Sequence, residues 1–393
     1  MPSIVAVAGD PSGDQHAAHL IAALKARQPN LTFTGLGGPA MRAAGVALLE
    51  DLTATAAIGP FDAARHLSTF LRAQQLLRAS IQRQKPDLAL LVDFGDYNLP
   101  VIAPLLKRHK IPVLYYVSPQ LWAWGRFRLR WVRRYVDRMI VFFPFEETFY
   151  REAGVPVTWV GHPLVESAKP ARAREEALRA FGLQEKIGPI VGLLPGSRAD
   201  EVRRHLPLMI SAAKRVSWRV PAAQFLIPRA PSVDPSWLAA AREVPGLDLH
   251  VADGPAADAL QLMDAAVVTS GTATLETALA SVPMVVVYKT SWPTYLAARA
   301  VVRIPDIALV NVVAGRRVVP EFVQHRARPG AIARGVIELL QDVKARETMK
   351  KGLREVKKAL GPSGAVDRAA EAVLEELKDQ MSEIRGQKSE KAR

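Results

Sequence analysis

Short β-branched and aliphatic runs alternate with helix-compatible segments along most of the chain, and this alternation restricts the fold more than any other feature. Such alternation is the pattern of βα units around parallel sheets. In the first half it predicts strands over residues 4–8, 32–35, 88–92, 113–117, 139–142 and 158–160, six strands of one Rossmann-like sheet. After Gly161-His162-Pro163 a polar, alanine-rich helix is expected over about 171–181. A second series then runs through 190–194, 224–227, 247–251, 265–268 and 284–288. The reading is an α/β protein of two Rossmann-like domains, 1–165 and 166–360, with parallel sheets facing across a cleft. The C-terminal ends of the strands line that cleft, where open α/β sheets bind their ligands. Residues 331–377 are helical by pattern with a break at Gly361-Pro362-Ser363-Gly364, and 361–377 is expected to pack back on the N-terminal domain. Residues 378–393 read as a charged tail.

Composition narrows the setting. The 393 residues include no cysteine, which excludes disulfides, thiolate chemistry and Cys-based zinc sites. Met-Pro-Ser passes directly into Ile4-Val5-Ala6-Val7-Ala8 without the basic leader and apolar core of a signal peptide, so a cytoplasmic location is expected. No apolar stretch approaches the roughly 20 residues that cross a bilayer. The net charge of +14 favours an anionic partner, whether phospholipid surface, phosphorylated substrate or nucleic acid. Basic residues concentrate over 126–138 and 344–358, and the second run reads equally well as a solvated helix face. The eight histidines show no HxxxH or HExxH spacing and the acidic residues no EF-hand pattern, so neither a metal nor a cofactor is expected.

Three strand ends in the first half carry polar clusters. The first reads Gly9-Asp10-Pro11-Ser12-Gly13-Asp14 before a helical pattern over 16–26. A small strand-to-helix turn of this kind lets backbone amides approach a polar ligand, with Asp10, Ser12 and Asp14 beside it. It departs from GxGxxG, which argues against a dinucleotide, and Ser12 or Asp14 as a plain helix cap explains it too. The third strand ends in Asp93-Phe94-Gly95-Asp96-Tyr97-Asn98. An inverting sugar transfer needs a carboxylate to remove the acceptor hydroxyl proton, and Asp93 is the first candidate, Asp96 the second. Asp96 and Asn98 read equally as caps of a helix beginning near Pro100. The next segment places Ser118, Trp122 and Trp124 before Arg126, Arg128, Arg130, Arg133 and Arg134. Amphipathic rings beside cations suit an anionic headgroup layer or an acylated, phosphorylated sugar. Nucleic acid binding and a core role for one tryptophan are the other readings of that segment.

In the second half, Leu194-Pro195-Gly196-Ser197-Arg198 closes a strand, and the Arg198 guanidinium suits a diphosphate whose charge grows as a glycosidic bond breaks. Ser270-Gly271-Thr272 follows another strand and opens a helix containing Glu276. Amides and hydroxyls there form a candidate pyrophosphate cradle, and Glu276 one turn later could reach a ribose hydroxyl. A simple capping motif would look much the same.

With those residues in view, the chain resembles the lipid-A-disaccharide synthase family of two-domain GT-B glycosyltransferases. The resemblance rests on Gly37-Gly38-Pro39 with Met41, on 93–98, 116–124, Phe143-Pro144-Phe145-Glu146, Gly161-His162-Pro163, 194–198, 270–276 and 283–286. It continues through Asn311, Gly315, Glu321 and Gln324. It implies a UDP-linked 2,3-diacylglucosamine donor, a 2,3-diacylglucosamine 1-phosphate acceptor, and a β-1,6-linked disaccharide with UDP as products, without a metal. It implies Asp93 as general base and Arg198 and Asn311 on the nucleotide-sugar side. It further implies a peripheral enzyme on the cytoplasmic face of the inner membrane, without a nucleic acid partner and with homodimerisation open. The family's usual first-turn glutamate is Asp10 here, its usual alanine two before the glycine is Pro11, and another typical glutamate is Asp62. The acidic changes keep charge and shorten reach, leaving the acyl pattern and the acceptor open. Two other readings stand beside this one: a UDP-N-acetylglucosamine 2-epimerase of the same architecture, and a basic, nucleotide-responsive protein on RNA or membrane.

Overall fold

The computed structural model describes residues 1–53, 67–184, 188–230, 233–301 and 304–390. Asp62 lies outside the described residues. The chain divides into two compact units, residues 1–163 with 363–393, and residues 164–362.

The first unit is built on a seven-stranded sheet: β1 (Ser3–Ala8), β2 (Thr32–Gly37), β3 (Ala47–Asp51), β4 (Leu88–Val92), β5 (Val113–Tyr116), β6 (Arg138–Val141) and β7 (Val157–Trp159). The order is β3-β2-β1-β4-β5-β6-β7 and every pairing is parallel. Leu88-Ala89-Leu90-Leu91-Val92 is buried throughout because helices cover both faces of a parallel sheet, which removes the polar alternation of a half-exposed strand. Register sets Ala8 beside Val92 and Val92 beside Tyr116, so the residues leaving β1, β4 and β5 emerge side by side at one edge.

Six strands are expected here and seven are present. Ala47–Asp51 carries Ala, Leu and Glu rather than β-branched residues and is only partly buried; pairing with β2 at the sheet edge makes it a strand against its local preference.

Around this sheet stand α1 (Pro11–Arg27), α2 (Pro39–Ala43), α3 (Leu67–Arg83), α4 (Leu129–Tyr135) and α5 (Pro144–Glu152). Helix α1 starts five residues earlier than its pattern suggests. Pro11 has the fixed φ of a first helical residue and Asp10 caps it, accepting from the Gly13 amide at 2.7 Å. The cap is therefore Asp10 rather than Ser12 or Asp14.

The second unit has six parallel strands in the order β10-β9-β8-β11-β12-β13: β8 (Ile190–Leu194), β9 (Gln224–Arg229), β10 (Leu249–Asp253), β11 (Ala265–Thr269), β12 (Met284–Tyr288) and β13 (Glu321–Val323). Five are expected; the sixth is a three-residue edge strand too short to give a pattern. Its helices include α6 (Ala199–Arg219), α7 (Ala273–Leu279), α8 (Trp292–Val301), α9 (Pro329–Gln341) and α10 (Val343–Ala359). Leu194 pairs with Val268 and Thr269 with Val287, which brings the exits of β8, β11 and β12 together.

The last helix, α11 (Ala365–Glu390), returns to the first unit. Arg27 meets Asp367 at 2.8 Å, Arg138 meets Glu375 at 3.0 Å, and Arg368 donates to the Val160 carbonyl at 2.6 and 2.9 Å. From residue 378 the charged segment continues α11 to Glu390, since Glu, Lys, Gln and Arg are strong helix formers. Ala369, Ala370, Val373 and Leu377 are the buried stripe of this helix. Val373→Asp places a carboxylate there without a partner and should cost about 3 kcal/mol or more in urea unfolding, whereas exposed Glu371→Ala should stay within about 0.5 kcal/mol.

Candidate active site

In the first unit the chemistry collects where β1, β4 and β5 end. Asp93, Phe94 and Val117 all have left-handed backbones, with φ of 45°, 50° and 64°. Aspartate tolerates that region, but the bulky Phe94 and β-branched Val117 do not favour it, so other contacts must hold them there. The Asp93 carbonyl accepts from the Asn98 side-chain amide at 2.9 Å and from the buried Tyr115 hydroxyl, and the Asp93 amide donates to the Tyr116 carbonyl at 3.0 Å. Gly9 permits the turn: a Cβ there would lie 2.0 Å from the Phe94 ring. The helix expected near Pro100 begins at Gly95 and includes a π turn, Asn98–Ile102, a feature frequent at functional sites.

The carboxyl of Asp93 keeps some surface yet is closely enclosed. Burial raises its pKa to about 7, the neighbouring Asp10 charge adds to the rise, and the Phe94 amide partly offsets it. Nearby, His16 and His162 lie against Phe142 at 5.2 and 5.1 Å. Burial, then each other's proximity or that of His19, lowers His162 to about 3 and His16 to about 4, so both rings are neutral at neutral pH. Nothing in the sequence spacing marks His16.

The remaining expected residues divide into those at the surface and those spent on the scaffold. Ser12 is exposed in the first turn of α1. Asp96 is exposed and ion-paired to buried Arg128, whose guanidinium lies 4.0 Å over the Trp124 ring. Three expected residues here, Asp14, Asn98 and Ser118, and Asn311 in the second unit have buried side chains that make hydrogen bonds within the fold. Asp14 accepts from the amides of Gly38, Ala40 and Met41 at 2.8–3.0 Å and fastens α2. Asn98 donates to the strand-end carbonyls, and the Ser118 hydroxyl lies 2.8 Å from that of Tyr150. Trp122, half-buried, donates from Nε1 to buried Glu146 at 3.1 Å, and Glu146 also accepts from the Phe143 amide. Burial raises Glu146 to about 7. Exposed Trp124 and Phe127 remain at the surface with Arg126, Arg130, Arg133 and Arg134.

In the second unit the exit of β8 is a turn in which Gly196 has φ of 111°. Glu201 reaches back to accept from the Ser197 and Arg198 amides at 3.1 and 3.4 Å, and exposed Arg198 pairs with it at 3.4 Å. His205, absent from the sequence reading, joins two exits: one ring nitrogen is 3.3 Å from the Pro195 carbonyl and the other accepts from the Lys289 amide at 2.8 Å. That pairing requires a neutral ring with its proton on Nδ1, and burial lowers the His205 pKa accordingly.

At the β11 exit, Ser270 donates from Oγ to the Ile307 carbonyl at 3.0 Å, and Thr274 donates to the Gly271 carbonyl at 2.7 Å. Thr272 precedes α7, and burial raises the pKa of half-buried Glu276. Asn311 is likewise buried and engaged. Its amide donates to the Val319 carbonyl and to Glu321 at 2.9 and 2.8 Å, and its oxygen accepts from Val318 and Val319. Glu321 accepts from Ile307 and Ala308 at 3.0 Å. Asn311 thus acts on the Ser270 turn through Glu321 and Ile307. Glu321 and Gln324 carry the family pattern in sequence, but spacing gives no sign that they work on the backbone.

Residues 4–375 match the family model described as lipid-A-disaccharide synthetase. The chain belongs to this family. The lipid-A-disaccharide synthase of Syntrophus aciditrophicus is 43% identical over 378 residues, covering 95% of this chain and 98% of the relative. That of Myxococcus xanthus is 44% identical over 376 residues, covering 96% and 98%. Among solved structures, the calicheamicin glycosyltransferase CalG4 is similar with a TM-score of 0.58 at 18% identity, over 96% of this chain and 98% of that one. The UDP-GlcNAc 2-epimerase of Neisseria meningitidis bound to UDP-GlcNAc gives 0.58 at 12%, over 95% and 100%. At such identities the likeness is one of fold, and the fold is GT-B. The family match therefore decides against the epimerase reading: the synthase is a glycosyltransferase of lipid A biosynthesis with a UDP-sugar donor and a sugar-phosphate acceptor.

Asn311→Ala in the synthase strips partners from several buried backbone and carboxylate groups. At about 1–3 kcal/mol for each group left unsatisfied, the urea midpoint should fall clearly. An unchanged midpoint would mean that water replaces the amide.

Proposed function

We propose that Asp93 is the general base of an inverting transfer between two acylated glucosamines. The acceptor is 2,3-diacylglucosamine 1-phosphate, met on the first unit; the donor is UDP-2,3-diacylglucosamine, met on the second. Asp93 takes the proton of the acceptor 6-hydroxyl while that oxygen forms a bond to the donor anomeric carbon. The bond from this carbon to the diphosphate oxygen breaks, and UDP leaves with the electron pair. Arg198 and the turn at Ser270, Gly271 and Thr272 offset the charge gathering on the leaving diphosphate. Glu276 serves the ribose, while Asp10 and Asp96 border the acceptor.

The observation that supports this most is the Asp93 turn. Strained backbone at a strand end is held by buried partners, and the carboxyl it presents is raised to about 7, near the pH at which a base must both hold and release a proton. Acceptor-dependent UDP release should fall about 100- to 10,000-fold in Asp93→Asn, the span that general bases contribute. In the native chain it should drop about tenfold per pH unit below 7, because only the ionised carboxylate accepts a proton; residual activity of the variant should lack that slope. The stability effect has the opposite sense. A raised folded-state pKa means stability present below the ordinary carboxylate value is lost as pH rises through 7, so Asp93→Asn should melt higher than the native chain at pH 8. A variant that keeps native turnover sinks this assignment.

We further infer peripheral attachment to the cytoplasmic face of the inner membrane. Exposed Trp124 and Phe127 among Arg126, Arg130, Arg133 and Arg134, and the half-exposed Leu67 and Leu71 of α3, support it. Among the described residues no helix is long and apolar enough to cross a membrane. Arg130→Gln with Arg134→Gln should weaken sedimentation with phosphatidylglycerol vesicles several-fold at low salt, and binding by the native chain should fade as salt rises.

A further inference from the structure

Helix α8 of the second unit combines a fixed base with an exposed apolar body. Its root at the end of β12 is pinned twice. The Lys289 amide donates to His205 at 2.8 Å; the Thr290 amide donates to Gln324 at 3.1 Å, and Gln324 donates back to the Thr290 carbonyl at 2.9 Å. Ser291 closes the first turn, accepting from the Tyr295 amide on its carbonyl at 2.9 Å and from the Thr294 amide on its hydroxyl at 3.3 Å. Beyond this anchor, Trp292 is 57% and Leu296 62% exposed, with the Trp292 and Tyr295 rings edge to face at 5.8 Å. Trp292, Tyr295, Leu296 and Arg299 are spaced to share one helix face.

We propose that this face receives an acyl chain of the nucleotide-linked sugar donor. The inference rests on the reading of that donor as acylated. His205 ties the α8 root to the Pro195 carbonyl in the same turn that carries Arg198, so the cation expected at the diphosphate and the apolar helix are held in fixed register by one ring. A ligand with a diphosphate at one end and hydrocarbon at the other matches both. Residues 289–301 include no acidic side chain, which suits a helix beside a diphosphate.

Two other occupants fit less well. A bilayer contact draws on clustered cations around its aromatic residues, as over 126–134, whereas the body of α8 carries Arg299 alone. A stable dimer buries roughly 800 Å² on each partner, more than three side chains supply.

The test compares the native chain with Trp292→Ser/Leu296→Ser in binding UDP, UDP-N-acetylglucosamine and UDP-2,3-diacylglucosamine. The expected result is that both chains bind UDP within twofold of each other, while affinity of the variant for the diacylated donor falls tenfold or more at unchanged Tm. If the native chain binds the diacylated donor no tighter than UDP-N-acetylglucosamine, the acylated-donor reading fails and this proposal with it. If the native chain has that preference and the variant keeps it, the proposal alone is overturned. It is likewise overturned if the variant loses vesicle sedimentation or self-association instead, or loses UDP to the same degree.

Discussion

The first unit depends on the grip exerted on the Asp93 carbonyl. Two consecutive non-glycine residues in left-handed conformation are unfavourable. They persist because Tyr115 and Asn98, both fully buried, donate to that one oxygen and would themselves be left unsatisfied if the turn relaxed. Gly9 clears room for the Phe94 ring beside it. Burial, Asp10 and backbone strain all act at the same few atoms. The arrangement is consistent with a site in which carboxylate basicity is set by the scaffold before any ligand arrives.

The second unit reaches a similar end by a different route. Its strand exits are joined by buried polar side chains instead of strained backbone: His205 links β8 to β12, Gln324 holds the segment after β12, and Asn311 with Glu321 supports the loop that receives the Ser270 hydroxyl. Asn311 makes four hydrogen bonds, Glu321 accepts three, and both ring nitrogens of His205 are engaged. Such networks fix geometry strongly because losing one member exposes the others to desolvation without compensation. Around them Arg198, paired to Glu201, and Thr272 stay exposed.

This division explains what could be read in the chain beforehand. Central strands were legible because burial on both faces writes continuous apolar runs, as in 88–92 and 265–268; β3 and β13 were not, because an edge strand takes its conformation from a neighbour. Polar residues at strand ends were equally legible as a group. Which of them face outward was not. Asn98 and Asn311 look like ligand-binding amides in sequence, yet the Asn98 amide nitrogen donates to strand-end carbonyls and Asn311 is engaged by the backbone of Val318 and Val319 and by Glu321. His205 lies in the interior of a long helix, where an isolated histidine gives no periodic or spacing signal, and its partners come from separate strand exits.

Asp10 shows how a shortened side chain can keep its electrostatic part while changing its mechanical one. Aspartate is among the preferred N-cap residues because its short carboxylate folds back onto the first turn. Here it does so, at 2.7 Å from the Gly13 amide, and Pro11 immediately after it is well suited to the first helical position. The pair Asp10-Pro11, read in sequence as two departures from the family, is thus one coherent helix start. The carboxylate drawn back into the cap still lies close enough to Asp93 to raise its pKa. What the shorter side chain gives up is reach beyond the first turn of α1, while its charge still contributes to the basicity of Asp93.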